Sequence, residues 1–361
     1  MKVQKDYLGM FDVLKGILML LIVLIHHMSF VEGGLLQAAG VQKSIGIFDW
    51  SAVVIALFFL ISGYQFRPAK NIKEYAVRQA KMLLLPYGTA IFVSAVLRGI
   101  ALGLANGQFD IRDISTLVFG GIYGSIQNVE VLGVWTSTVV ALWFLPTTFL
   151  SGFIFQLLWR TKKRWIAIAA IWGLTILAVS FPSAYEVQLP FFCVQSCAVL
   201  GFMEVGRLLK EKKLLYQKLS PVFVVLASAA FVLCHLFSEA NVASNVWNWW
   251  MLDYLTACAF SVVVLKLYIW SGVGCMKYVG IPEYIGTYSL LFFCVHGVEL
   301  LAVPWGESLG NCILSFDGIV RLPLWLIAAG IYVIRVIYTF WGCKLLNSLM
   351  KCKYRKNKKV G

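Results

Sequence analysis

Apolar residues along this chain do not alternate with polar ones; they come in blocks. The first block, "KGILMLLIVLIHH" from Lys15 to His27, is a cation, a continuous hydrophobic run and two imidazoles. Such blocks recur along the chain and predict ten helices, at about 11–31, 46–66, 83–105, 139–158, 165–181, 190–207, 221–237, 250–270, 284–304 and 322–346. About 20 apolar residues in a helix match the ~30 Å hydrocarbon core of a bilayer, whereas barrel strands need a two-residue alternation. In lipid the backbone must satisfy its own hydrogen bonds, which leaves helices as the spanning element here. The expected fold class is all-α: a polytopic integral membrane helical bundle of about ten transmembrane helices, with no soluble catalytic domain.

Composition sharpens this picture. The chain has 361 residues, 60% of them hydrophobic and 13% charged, against roughly half and a quarter in soluble domains. Its net charge of +14 would, in a soluble chain, suggest nucleic acid as a partner. The placement of the charge argues against that. Of the 31 Lys and Arg residues, only Lys43, Arg112 and Arg321 fall in the loops on one side of the predicted spans. Lys15, Arg98, Lys266 and Arg335 lie within spans, and all the others fall on the opposite side, Arg207 and Lys344 at the span ends there. This is the positive-inside distribution, and it predicts both termini in the cytoplasm. The basic excess is then a topology signal with some affinity for anionic lipid, and no nucleic-acid partner is expected. The expected partition is one transmembrane domain over 1–350 and a basic cytoplasmic tail over 351–361. The first apolar run is too long for a cleavable leader and has no small-residue cleavage site. The nine cysteines follow no disulfide or zinc spacing, so no metal is expected.

The first block carries the candidate chemistry. Lys15 and His26 are eleven residues apart, which on a helix is three turns plus about 20°, and about 16 Å along the axis. They share a face, whereas His27 points about 100° away. Asp12 stands one turn before Lys15, close enough for an ion pair. Ionisable groups inside a bilayer are costly and by default mark a function. This pattern suits a long molecule with an anionic head at Lys15 and a reactive far end at His26. A coenzyme A thioester has that form, and imidazole can take a proton from a hydroxyl near neutral pH. In the ninth block His296 is followed at i+3 by Glu299, a carboxylate spaced to orient an imidazole. His26, His296 and Glu299 are the candidate catalytic residues. The longest connection on the predicted outer side, about 106–135, contains the glycine-rich "FGGIYGS".

The motifs in order resemble the acyltransferase 3 family of integral membrane acyltransferases. "FDVLKGILMLLIVLIHH" is similar to the family's opening helix, with a basic residue, ten residues, then histidine. "FFLISGYQF" resembles its second helix, and "VRQAKMLLLPY" its motif of two cations three apart followed by a proline–aromatic pair. "LWFLPTTF" and "IGTYSLLFFCVHG" resemble later helices. Lys15 and Lys81 stand where arginine is common, which keeps the charge and loses the planar grip on phosphate. The resemblance implies a cytoplasmic acyl-CoA donor, most commonly acetyl-CoA, with Lys15, Arg78 and Lys81 on its phosphates. It implies a hydroxyl acceptor on an envelope glycan, a lipid-linked sugar or a secondary metabolite, and a place in the bacterial cell membrane. His26 is then the general base or a transient carrier of the acyl group. The alternative is a transporter exporting a glycan or small solute without chemistry. Transporters often pair helices broken by Gly or Pro in corresponding positions, and the sequence shows no such pairing.

Overall fold

The structure is a computed structural model that describes residues 9–38, 50–106, 111–131, 133–273, 280–303 and 321–360. Lys43 lies outside these residues, as do the side chains of Arg321 and of the 351–360 tail. The elements in chain order are α1 (Asp12–Ala38), α2 (Ser51–Tyr64), α3 (Ile72–Gln79), α4 (Leu85–Asn106), α5 (Ile111–Tyr123), β1 (Val129–Val131) and β2 (Val134–Thr136). There follow α6 (Phe144–Leu158), α7 (Arg164–Val179), α8 (Cys193–Ala198), α9 (Leu200–Glu211), α10 (Pro221–Phe237), β3 (Ala240–Asn241), β4 (Val246–Trp247) and α11 (Met251–Ser271). The chain ends with α12 (Gly280–Thr287), α13 (Ser289–Ala302) and α14 (Arg321–Val360).

The protein is mostly helical. Among the described residues, five stretches are long and apolar enough to cross a bilayer: Asp12–Ser29, Ile72–Leu104, Val140–Leu158, Met251–Ser271 and Ala328–Met350. Two bent pairs raise the number to seven if each is one span. The shorter apolar helices α2, α7 and α10 coincide with three more of the predicted blocks. Two predicted straight helices are broken. The sixth block bends by 41° between α8 and α9, and the ninth by 84° between α12 and α13. The second break falls at Tyr288 (φ −106°, ψ 28°), within Gly-Thr-Tyr-Ser, residues that all rank below alanine and leucine as helix formers. The third block begins earlier than predicted, because its helix already starts at Ile72 and takes in the basic residues before the apolar run.

Among the described residues, contacts divide the chain into two compact units, one within residues 50–273 and one formed by residues 9–38, 280–303 and 321–360. In the first unit α2 is the central helix. Every residue of α2 except Ser51 and Ser62 is buried, as expected of a helix apolar on all sides. It meets α9 where Gly63 lies against the Met203 backbone and Gly206 against Leu60. Small residues let helix backbones approach closely where lipid gives no hydrophobic drive. The glycine-rich connection forms a helix, α5, followed by the β1–β2 hairpin. Arg98 of α4 grips Asp113 of α5 through two bonds of 2.6 and 2.8 Å, and Tyr87 donates to the Gly121 carbonyl at 2.7 Å. Arg207 of α9 is held by Glu204 and Glu211 with its guanidinium 3.9 Å from the Trp159 ring centre.

In the second unit α1 packs along α12, and the two cross at Gly16 and Gly286. The α14 helix joins them: Tyr332 donates to the Leu20 carbonyl at 3.2 Å and Asn347 donates to the Tyr284 hydroxyl at 3.2 Å.

Candidate functional site

Three of the four histidines gather in the second unit. The fourth, His235, stacks on Phe231 and lies tilted against Trp50 in the first. On α1, His26 and His27 face different neighbours, as adjacent helical residues must. The His26 ring lies 5.6 Å from that of His296 on α13, and the His27 ring 5.9 Å from Tyr332 on α14. His27 and His296 are buried, while His26 is half-buried.

Glu299 is the hub of the polar groups behind these rings. It sits one turn beyond His296, and its Oε2 accepts from His296 Nδ1 at 3.0 Å. Arg335 of α14 donates from Nε to Oε1 at 2.7 Å and from Nη2 to Oε2 at 3.2 Å. Its remaining nitrogen, Nη1, lies 3.4 Å from His27 Nδ1. A carboxylate paired in this way only accepts, so His296 Nδ1 carries a proton, and in the neutral ring the lone pair is at Nε2. That Nε2 is buried without a hydrogen-bond partner among the described residues. By the same reasoning His27 Nδ1 accepts from Arg335, which puts the His27 proton on Nε2.

Lys15 and Asp12 form an ion pair of 2.6 Å near the start of α1, about one-fifth exposed. Asp12 also accepts from Thr287 of α12 at 3.4 Å. The face of α1 that carries Lys15 and His26 thus looks onto the broken helix at both levels, with Thr287 beside the first pair and His296 beside the second. The charge of Lys15 is already matched by Asp12, a competition any anionic ligand there must overcome.

Arg78 and Lys81 belong to the first unit. Asn71 caps α3, accepting from the Lys73 and Glu74 amides. Gln156 of α6 clamps the connection before it, accepting from the Ala69 amide and donating to the Arg67 carbonyl, both at 2.9 Å. Arg78 ends α3, and Lys81 lies in a π-turn, Ala80–Leu84, that leads into α4. The wider turn alters the angle between them from that of a regular helix, and such turns are frequent at functional sites. Both side chains are exposed. Neither has a carboxylate partner among the described residues.

The structure therefore brings His26, His296 and Glu299 together and adds two residues to which the sequence assigned no role, His27 and Arg335. Arg335 stood out as a cation within a span. Its partner is 36 residues away, and no local spacing reveals it.

No curated protein and no solved structure matches the chain. The family model for the acyltransferase domain, acyltransferase 3, matches residues 9–343, nearly the whole chain and both units. With its apolar helices, the match identifies the chain as a member of the acyltransferase 3 family and indicates a multi-pass membrane acyltransferase.

Proposed function

We propose that the protein transfers an acyl group, most simply acetyl, from cytoplasmic acyl-CoA to a hydroxyl of an envelope glycan or lipid-linked sugar. The observation that carries this reading is the imidazole pair, with His26 half-buried and its ring 5.6 Å from His296, whose Nε2 is unpartnered. Bare imidazole nitrogen inside a membrane bundle is suited to accepting a proton from a hydroxyl.

The reaction balances on this pair. The acceptor hydroxyl gives its proton to the imidazole pair as its oxygen adds to the thioester carbonyl carbon. The tetrahedral intermediate collapses, the carbon–sulfur bond breaks, and the proton passes to the leaving sulfur. An ester and free coenzyme A result. His26, the more accessible ring, meets the substrate. A site walled by apolar helices excludes water and limits thioester hydrolysis. Arg78 and Lys81, exposed and without carboxylate partners, are the donor-phosphate contacts that the family resemblance implies. Lys15 serves the same end if the donor displaces Asp12. Both termini lie in the cytoplasm of a bacterial cell, the bundle has ten spans, and no metal takes part.

The test is purified protein in detergent, given labelled acetyl-CoA and envelope extract. Label should enter glycan or lipid with wild type and not with His26→Ala. An active, normally folded His26→Ala protein would remove the assignment. A second reading, export of a glycan or small solute without chemistry, draws on the two helices broken by 41° and 84°, a feature common in transporters. Solute uptake into vesicles with no label transferred would favour it.

A further inference from the structure

Four side chains of the second unit form one buried polar chain: His296 is 0% exposed, His27 and Arg335 1%, and Glu299 2%. An arginine stays protonated under all ordinary conditions. Glu299 paired with it is therefore a balanced charge, which a dry interior tolerates far better than a lone one.

The balance decides what His296 can do. Without a fixed cation, a buried carboxylate beside an imidazole has two ways to shed its excess charge. It can hold a proton on the imidazole, which leaves no lone pair to accept another. Or it can take the proton itself, and then it no longer orders the ring as an acceptor. Arg335 removes the need for either. Its third prong adds a second constraint, because Nη1 aimed at His27 Nδ1 requires a neutral His27. A protonated His27 would set donor against donor and one cation against another.

We propose that Arg335 is a positioning residue for acyl transfer: by balancing Glu299 and fixing His27, it keeps the His26–His296 pair proton-free at rest, with His296 Nε2 open to receive. This deepens the acyltransferase reading above and rests on it for the reaction, but not for the charge state. The titratable and charged groups around the pair are His26, His27, Glu299, Arg335 and Tyr332. Of the groups on α12, Glu283 is exposed and Tyr284 accepts from Asn347.

The test uses the full chain in detergent and three variants: Arg335→Gln, Arg335→Lys, and Arg335→Gln combined with Glu299→Gln. Two coupled imidazoles titrate as a unit. In Arg335→Gln the unbalanced carboxylate makes that unit bind its first proton at higher pH. The acidic limb of the kcat profile should move up by about one pH unit, and kcat at neutral pH should fall by up to about 100-fold, the scale of a lost general base. The double variant is charge-balanced, and its acidic limb should return toward wild type. Arg335→Lys keeps the charge and loses the fork, so kcat falls while the limb stays. A role confined to packing would lower stability and leave the limb in place in all three.

Nitrogen-15 NMR of histidine-labelled protein provides a readout independent of activity. At neutral pH His296 should show one protonated and one bare ring nitrogen in wild type, and two protonated nitrogens in Arg335→Gln. An imidazolium at His296 in wild type would overturn the proposal, as would a folded Arg335→Gln protein with an unmoved limb and a neutral His296. If Arg335→Gln does not fold, the double variant carries the test: a limb displaced from wild type overturns the proposal. A wild type that transfers no acyl group but shows the neutral His296 would sink the acyltransferase reading while sparing the charge assignment.

Discussion

Gly286 of α12 and Asp12 of α1 meet backbone to backbone: a Cβ on Gly286 would lie 1.7 Å from the Asp12 carbonyl oxygen. One turn on, a Cβ on Gly16 would lie 1.8 Å from the Pro282 carbonyl oxygen. Neither clash can be relieved by a side-chain rotation, because the obstructing atoms are main chain. Gly16→Ala and Gly286→Ala should each push the helices apart at a cost of about 1–3 kcal/mol, the usual range for overpacking. A lowered thermal midpoint in detergent and reduced acyl transfer are the expected readings. A Gly88→Ala control, at an exposed helical site with nothing within 4 Å of the added carbon, should leave transfer unchanged and hold or slightly raise the midpoint.

His26 and His296 should respond differently to truncation. His26 is half-buried and His296 is fully enclosed on Glu299. His26→Ala should remove transfer by about 100-fold or more with a thermal midpoint near wild type. His296→Ala should lose both transfer and stability, since it leaves Glu299 with one donor fewer inside the bundle. Equal stability losses in the two variants would contradict the difference in burial.

The Asp12–Lys15 pair sets the sign of a third outcome. If Lys15 binds the donor's anionic end, Asp12 competes with it. Partly exposed ion pairs are worth about 0.2–1 kcal/mol, so Asp12→Asn should tighten acyl-CoA binding by up to about 5-fold. Lys15→Ala should weaken it. Isothermal titration with a non-reactive acyl-CoA analogue measures both, and a weaker Asp12→Asn complex would argue against Lys15 as the anchor.

Gln156 offers a test within the first unit. Its amide satisfies the Ala69 amide and the Arg67 carbonyl in the connection leading to α3. Gln156→Leu would remove both bonds from this partly exposed connection, at about 0.5–1.5 kcal/mol each. If Arg78 and Lys81 hold the donor, the displaced α3 should raise KM for acyl-CoA more than it lowers kcat. Steady-state kinetics on the variant separate the two effects.

Much of this molecule is readable from the chain. Apolar blocks announce helices because lipid admits little else, and the spacing of Lys15 and His26 follows from helix geometry alone. His296 and Glu299 at i, i+3 meet as such pairs do. The break at Tyr288 is harder to see, because Gly-Thr-Tyr-Ser only weakens a helix and the packing of its neighbours decides whether it bends. The broken pairs, which the sequence did not disclose, illustrate this. Arg335 and Glu299 mark a second boundary. Each is conspicuous alone as a charge in a span, yet their pairing is a tertiary fact with no signature along the chain. The π-turn at Lys81 is likewise invisible to a reading that assumes regular helices.

The second unit also constrains how the protein is made. Its first helix touches α12 through residues 275 positions apart in the chain, Asp12 and Thr287, and α14 through residues 312 apart, Leu20 and Tyr332. The ribosome therefore delivers α1 to the membrane long before its companions exist. Until then the imidazoles of His26 and His27 have neither His296 nor Arg335 to meet. Assembly of the histidine cluster is thus a late event in biogenesis, reached only after the C-terminal helices have entered the bilayer.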